Sequence, residues 1–336
     1  MNVPVLTLFN PRAGVGKTWL TYHLAWMCAE LGHRVVALDM DPQASLTATC
    51  LGEDRVADLW SDAGPVTTIY RAVQPLRRGG ELRELRPLEL APNVFLIPAE
   101  LALAEFEETL AGAWLGDSRS AAPRTPERLL TAFWQAAQSA AKSVAADLII
   151  TDTGPNLGAL NRTALVGSDY VLTPLAADPY SLPSLRTMGP TLTAWRDQWR
   201  QRLEPGPASP PIWPIGQMHP LGYLIERGRN RFGNAVAVED AWFRQVPDAY
   251  REGVLHQPAT GLTVADDPHC LATLKPYRSL AALARDARKP LFQLTPADGA
   301  MGSHAVAARD AAADFRILAE KILGAMAAGP ETRQRG

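Results

Sequence analysis

Two hydrophobic rhythms alternate along the chain. Residues 3–9 form a short apolar run ending in a loop with Pro and Gly, after which Leu20, Leu24, Met27, Cys28 and Leu31 recur at helical spacing. That change of period predicts a strand, a loop and a helix. Gly32 supplies the stop, since glycine accepts the left-handed conformation common at helix ends, and residues 34–38 then give a second β-branched run that closes on Asp39. The unit is βαβ. Further runs at 94–97, 148–151, 170–173 and 221–225 are separated by stretches long enough for helices. The expected fold class is α/β, a doubly wound, mostly parallel sheet flanked by helices.

Residues 77–87, rich in Arg and Glu, and 116–126, rich in Ser, Arg and Pro, read as surface insertions rather than domain boundaries. Residues 204–214 hold five prolines and connect a helix ending near Arg202 to the strand at 221. The last periodic segment, 311–326, sets Phe315, Leu318, Ile322 and Leu323 on one side, as a closing helix would. No internal repeat is visible. The expected organisation is one domain over 1–328, with insertions near 77–87 and 116–126, and a polar tail at 329–336.

With 336 residues, 47% of them apolar, the chain can bury a sizeable core. The formal charge is −2, so any nucleic-acid contact must come from a local basic patch. Cys28, Cys50 and Cys270 are an odd, scattered set without the paired spacing of a zinc or iron–sulfur site, which fits reduced thiols. The six histidines lack metal-ligand spacing, and Trp195, Trp199, Trp213 and Trp242 read as packing or interface residues before base-stacking ones. No basic leader precedes the first strand and no apolar run approaches the roughly 18 residues of a membrane span. A cytoplasmic location is expected.

The chemistry concentrates in Gly14-Val15-Gly16-Lys17-Thr18, which follows a predicted strand and opens a predicted helix. Glycines let backbone N–H groups converge on phosphate oxygens, and a helix N-terminus adds positive potential. In such a loop Lys17 reaches the β- and γ-phosphates and Thr18 holds Mg²⁺. Ala13 to Trp19 frame the expected nucleotide contacts: Ala13, Gly14, Val15, Gly16, Lys17, Thr18 and Trp19.

The longer stretch Asn10-Pro11-Arg12-Ala13-Gly14-Val15-Gly16-Lys17-Thr18 resembles the deviant Walker A loop of the ParA/MinD family of P-loop NTPases, with Arg12 where that family has Lys and Ala13 where it has Gly. Two further motifs are similar. Asp39-Met40-Asp41-Pro42-Gln43 looks like the switch I motif Asp-x-Asp-Pro-Gln, and Asp152-Thr153-Gly154-Pro155-Asn156-Leu157-Gly158 looks like the Walker B and switch II segment. There the family usually has Asp-x-Pro-Pro-Ser-Leu-Gly, so Gly154 and Asn156 depart from it. Residues 169–175 and 178–182 resemble the next strand and loop. The similarity covers roughly residues 3–60 and 93–260 and fades in the last third.

The resemblance implies an ATPase that uses ATP and Mg²⁺, with Lys17, Asp41 and Arg12 as catalytic residues. Asp41 would position the attacking water; Thr18, Asp39 and Asp152 would serve the metal, the aspartates through its waters. A strand-end helix cap is the competing role for Asp39 or Asp152. In this family ATP closes a homodimer, the dimer binds DNA or membrane, and a partner triggers release. Arg12 would touch the other subunit's phosphates, or else bond a loop carbonyl or face solvent. Candidate contacts for nonspecific DNA are Arg196, Arg200 and Arg202 in one cluster and Arg227, Arg229 and Arg231 in another, each also readable as a solvated charged surface. Partners implied are a second copy, DNA and a ParB-like or cargo-adaptor activator, with nucleoid association if DNA is the matrix. No membrane partner is expected, because the closing segment balances Arg316 and Lys321 against Asp310, Asp314 and Glu320. The alternatives are an ATP-dependent scaffold with little turnover and no DNA, an iron–sulfur carrier, and a metabolite kinase or ligase.

Overall fold

The computed structural model describes residues 2–61, 66–116, 126–203, 213–226 and 242–329. In chain order the elements that position the site are β1 (Val5–Leu8), α1 (Lys17–Glu30), β2 (Val35–Asp39), α2 (Ser45–Leu51), α3 (Glu53–Leu59), α4 (Ile69–Val73), β3 (Leu88–Ala91), β4 (Val94–Ile97), α5 (Phe106–Leu115), α6 (Pro126–Ser143), β5 (Leu148–Asp152), α7 (Ala159–Val166), β6 (Tyr170–Ala176), α8 (Ser181–Leu203), β7 (His219–Glu226) and β8 (Cys270–Leu274). Helix Ser303–Ala328 follows, longer at both ends than the 311–326 periodicity. The strands form one eight-stranded sheet in the order β3-β4-β2-β5-β1-β6-β7-β8. The doubly wound α/β class expected from the sequence is the one observed.

Two compact units, interleaved in sequence, make up the chain: residues 1–7, 18–169 and 196–218 form one, and 8–17, 170–195 and 219–336 the other. In the first unit, β2 runs parallel to β4 and β5, and all residues of β2 and β5 are buried. Strands covered on both faces read as unbroken apolar runs, which is why these were visible in the sequence. The register pairs Asp39 with Asp152, so the two carboxylates stand side by side at the carboxyl ends of their strands. Open α/β sheets bind ligands at that edge. β3 pairs antiparallel with β4 through a tight turn whose Asn93 has φ 67°. In the second unit, β6, β7 and β8 are parallel neighbours, and helix Ser303–Ala328 buries Phe315, Leu318 and Ile322. Among the described residues no helix is long and apolar enough to cross a membrane.

Helix α1 buries Leu20, Leu24, Met27 and Cys28 and ends where expected. Gly32, at φ 94°, donates to Ala29 O while His33 N donates to Cys28 O, so two terminal carbonyls are satisfied by the reversal. The same helix buries His23, whose Nδ1 lies 2.7 Å from Trp19 O. Burial disfavours the charged ring and lowers its pKa to about 4, against a smaller opposing effect of the Trp19 carbonyl. A lowered folded-state pKa means that the unfolded chain binds more protons between about pH 6.5 and 4, so stability is lost as pH falls through that window. The full loss is about 3 kcal/mol. Melting curves from pH 7 to 4 should therefore fall more steeply for the parent chain than for His23→Gln; parallel curves would place the acid sensitivity elsewhere.

Candidate nucleotide site

The loop leaving β1 is organised by its own side chains. Asn10 Nδ2 donates to Pro174 O at 2.8 Å, and Asn10 Oδ1 accepts from Arg12 N at 3.0 Å. Gly14 and Gly16 adopt φ 73° and 82°, and a Cβ at Gly14 would meet nothing within 4 Å. Left-handed residues between right-handed ones turn successive N–H groups to one side, which makes an anion-binding concavity. Val15 is buried and anchors the loop, while Ala13 and Gly14 are exposed. The Lys17 ammonium folds back over this backbone and donates to Asn10 O and Arg12 O, both at 2.8 Å, in a buried position. A buried cation held on its loop's carbonyls is poised for a polyanion.

Arg12 belongs to the same unit. Its Nη1 pairs with Asp178 Oδ1, lies 3.4 Å from Ser181 Oγ, and its guanidinium carbon sits 5.4 Å from the centre of the Tyr180 ring. Asp178 is itself fixed by Tyr180 N at 2.9 Å. The sequence placed Asp178 and Tyr180 in a recognisable loop without giving either a role.

The carboxylates lie in the other unit. Thr18 Oγ1 donates to Asp152 Oδ2 at 2.7 Å, and Trp19 is half-buried beside it on α1. Asp39 is differently occupied: Oδ2 accepts from Thr47 N at 2.8 Å and Thr47 Oγ1 at 2.7 Å, and Oδ1 accepts from Asp41 N at 3.1 Å. It thereby caps α2 from outside the helix and fixes the segment that carries Asp41. Burial raises its pKa to about 6; the Thr47 and Asp41 hydrogen bonds oppose that, and the Asp41 charge adds to it. Thr47 also accepts from Ala99 N at 2.9 Å, a tertiary role that sequence reading missed. Asp41 is buried and its Oδ1 accepts from Gln43 N at 3.0 Å.

The three candidate arginines of helix α8 differ in what they bond. Arg196 donates to Gln217 O and Met218 O at 2.9 Å each, and its burial lowers its pKa. Arg202 donates to the carbonyl of Trp114 and lies 3.5 Å from Glu127. Both guanidinium groups satisfy main-chain carbonyls, and only Arg200 of the three is exposed, with Asp197 3.8 Å away. The buried Trp199 closes this layer, its ring 5.7 Å from that of Trp114. Arg227, Arg229 and Arg231 lie outside the described residues, as do 117–125 of the second insertion and 330–336 of the tail.

A glycine loop of this handedness, set between a buried strand and a helix N-terminus, places the chain among the P-loop nucleotide-binding proteins. A family model described as an AAA domain, AAA_31, matches residues 3–205, and the chain belongs to that family and with it to the ParA/MinD-like P-loop ATPases. It is 30% identical over 202 residues to the chromosome partitioning protein ParA of Myxococcus xanthus, covering 60% of each chain. It is 29% identical over 170 residues to a putative replication protein A of Rhizobium rhizogenes, covering 50% of this chain and 39% of that one. The match thus spans less than two thirds of the length of these relatives. Among solved structures, the protein DIP2308 of Corynebacterium diphtheriae superposes with a TM-score of 0.65 at 22% identity, over 96% of this chain and 98% of that one. A putative plasmid partition protein of Borrelia burgdorferi, solved with AMPPNP, gives 0.56 at 17% identity, over 96% and 99%. These likenesses establish the fold.

Proposed function

We propose that this chain is an ATP-switched ATPase of ParA type. With ATP and Mg²⁺ bound it pairs with a second copy, the pair holds nonspecific DNA, and an adaptor protein stimulates hydrolysis and release, for DNA partitioning or cargo positioning. The observation that carries the reading is the buried Lys17 ammonium, 2.8 Å from two carbonyls of its own loop, where phosphate oxygens can take over its hydrogen bonds. Mg²⁺, when bound, neutralises charge on the phosphates. Thr18 and Asp152 are the residues to hold it, while Asp39 serves by fixing the Asp41 segment. Asp41 then orients the attacking water, and Arg12 reaches the partner copy's phosphates.

DNA binding of this kind rests on charge without sequence reading, so it should weaken steeply with salt. Of the six candidate arginines, Arg200, Arg227, Arg229 and Arg231 carry the proposal, because Arg196 and Arg202 are committed to carbonyls. Co-sedimentation with DNA in ATP and Mg²⁺ over a salt series tests it. Changing these four arginines to Ala should lower affinity and flatten the salt slope by about one unit for each phosphate left without its cation. Arg196→Ala should instead lower the melting temperature. No retention of the parent chain at low salt would remove DNA from the account.

A further inference from the structure

Helix α2 begins without a cap of its own. Ala44, the residue before it, sits in the left-handed region at φ 52° and brings no side-chain acceptor. The backbone donors of a first helical turn need acceptors from outside the helix. Asp39, at the end of β2, supplies one: its Oδ2 takes the Thr47 N–H at 2.8 Å, so a strand-end carboxylate does what an N-cap side chain does elsewhere. The other oxygen of this buried carboxylate, Oδ1, accepts from Asp41 N at 3.1 Å. Asp39 thus ties the first turn of α2 to the backbone of Asp41.

The direction of the Thr47 hydroxyl follows from its partners. Ala99 N can only donate, so Thr47 Oγ1 accepts from it at 2.9 Å, and the single hydroxyl hydrogen goes to Asp39 Oδ2 at 2.7 Å. Oδ2 therefore receives two donors from one residue, which fixes the plane of the carboxylate and keeps Oδ1 on Asp41 N. Thr47, Asp39 and Ala99 are fully buried, so solvent does not stand in for these bonds.

Ala99 lies in a loop, 98–100, that is itself anchored. Pro98 O accepts from Ile69 N at 3.0 Å, and Ala99 O accepts from Trp60 Nε1 at 3.1 Å. The buried Glu100 pairs with Arg71 Nε at 3.0 Å and accepts from Thr68 Oγ1, while Thr68 caps α4 by accepting from Arg71 N. The Thr47 hydroxyl joins this anchored loop to Asp39. All of these residues belong to the one unit that carries β2 and β5.

We propose that Thr47 is a positioning residue for hydrolysis, holding Asp41 in its working geometry through Asp39. The inference rests on the ATPase reading of Asp41 given above. Thr47 needs no contact with substrate; it acts through two hydrogen bonds in series, its own Oγ1 to Asp39 Oδ2 and Asp41 N to Asp39 Oδ1. The segment leaves the sheet one residue before Asp41, where Met40 N donates to Asp152 O at 3.0 Å. Beyond that point Gln43 N to Asp41 Oδ1 and Ala44 N to Asp41 O shape the turn locally, and the Asp39 bond is what links it back to the buried core. Loosening a group that orients a nucleophile acts on turnover and leaves ground-state nucleotide affinity alone.

Three variants separate positioning from stability. Thr47→Val keeps the shape of the side chain and removes the hydroxyl, and Thr47→Ser keeps the hydroxyl. Thr68→Val removes a buried hydroxyl on the other side of the same loop and leaves both Asp39 bonds in place. Phosphate release with ATP and Mg²⁺, AMPPNP affinity and melting temperature are measured on each, together with amide hydrogen exchange of Asp41 in the nucleotide-free chain. Thr47→Val should lose about 10-fold in kcat and exchange its Asp41 amide about 10-fold faster, with KM and AMPPNP affinity within about twofold of the parent. Thr47→Ser should recover both losses. Thr68→Val should lower the melting temperature as Thr47→Val does, yet keep parental kcat and parental exchange at Asp41. Parental kcat or parental Asp41 exchange in Thr47→Val overturns the inference. An equal loss of kcat in Thr68→Val assigns the effect to stability, and a serine variant as impaired as the valine one assigns it to packing of the Thr47 methyl group; either overturns it. A parent chain that binds AMPPNP but releases no phosphate overturns the ATPase reading and this inference with it, whereas an active parent beside an equally active Thr47→Val overturns this inference alone.

Discussion

Asp41→Ala is expected to bind ATP about as tightly as the parent chain and to release phosphate at least about 100-fold more slowly, the usual loss when a group that orients or deprotonates a nucleophile is removed. Affinity should hold because the proposed phosphate contacts come from the Gly14–Thr18 backbone and Lys17, not from the Asp41 carboxylate. The fold should hold as well: Asp41 Oδ1 accepts only a local bond from Gln43 N, while its own N–H remains available to Asp39. Removing Asp39 would be different, since three donors converge on that buried carboxylate and would lose their acceptor. Phosphate release and nucleotide titration on the same preparation decide it. Parent-like turnover in Asp41→Ala would take this residue out of the reaction.

Arg12→Ala is expected to abolish ATP-driven pairing while leaving nucleotide binding nearly intact. In the isolated chain Arg12 pairs with Asp178, both side chains about 30% exposed, and an ion pair so accessible to water contributes at most about 1 kcal/mol. A desolvated guanidinium–phosphate contact across a subunit boundary is worth about 2 kcal/mol or more. The proposed intersubunit contact would therefore outcompete the Asp178 pair, and two-fold symmetry would make it twice, so its loss should weaken pairing by roughly 1,000-fold. Arg12→Lys should keep part of the effect, since lysine retains the charge but loses the planar fork. Asp178→Asn, which frees Arg12, should leave pairing intact or strengthen it. If Arg12→Ala still pairs in ATP, the Asp178 contact is a purely local brace and another basic residue acts across the interface.

How much was legible in the sequence followed from how locally each feature is encoded. β1, β2 and β5 are continuous apolar runs because parallel strands are covered on both faces, and α1 shows its buried stripe at helical spacing with Gly32 as its stop. β3 escaped notice because Leu88–Ala91 is a half-exposed edge strand directly after an Arg/Glu-rich stretch. β8 escaped because Cys270–Leu274 is only partly buried, and the length of α8 was obscured by Gly189 and Pro190 inside it. The phosphate loop was readable since its chemistry depends on consecutive residues. Thr47 and Asp178 were not, because each acts through a partner distant along the chain. Arg196 and Arg202 mark the opposite error: arginine in a polar helix suggests a solvent-facing charge, yet a long side chain can run along the surface and spend its donors on carbonyls.

Pairing in response to nucleotide is the property on which the proposed switch turns, and light scattering of the purified chain with ATP and Mg²⁺, against the same chain with ADP and Mg²⁺, measures it directly. A mass near twice the 36.4 kDa of one chain in ATP, returning to a single chain in ADP, is the result expected. A single-chain mass in ATP, with nucleotide shown to be bound, would contradict an ATP-switched dimer.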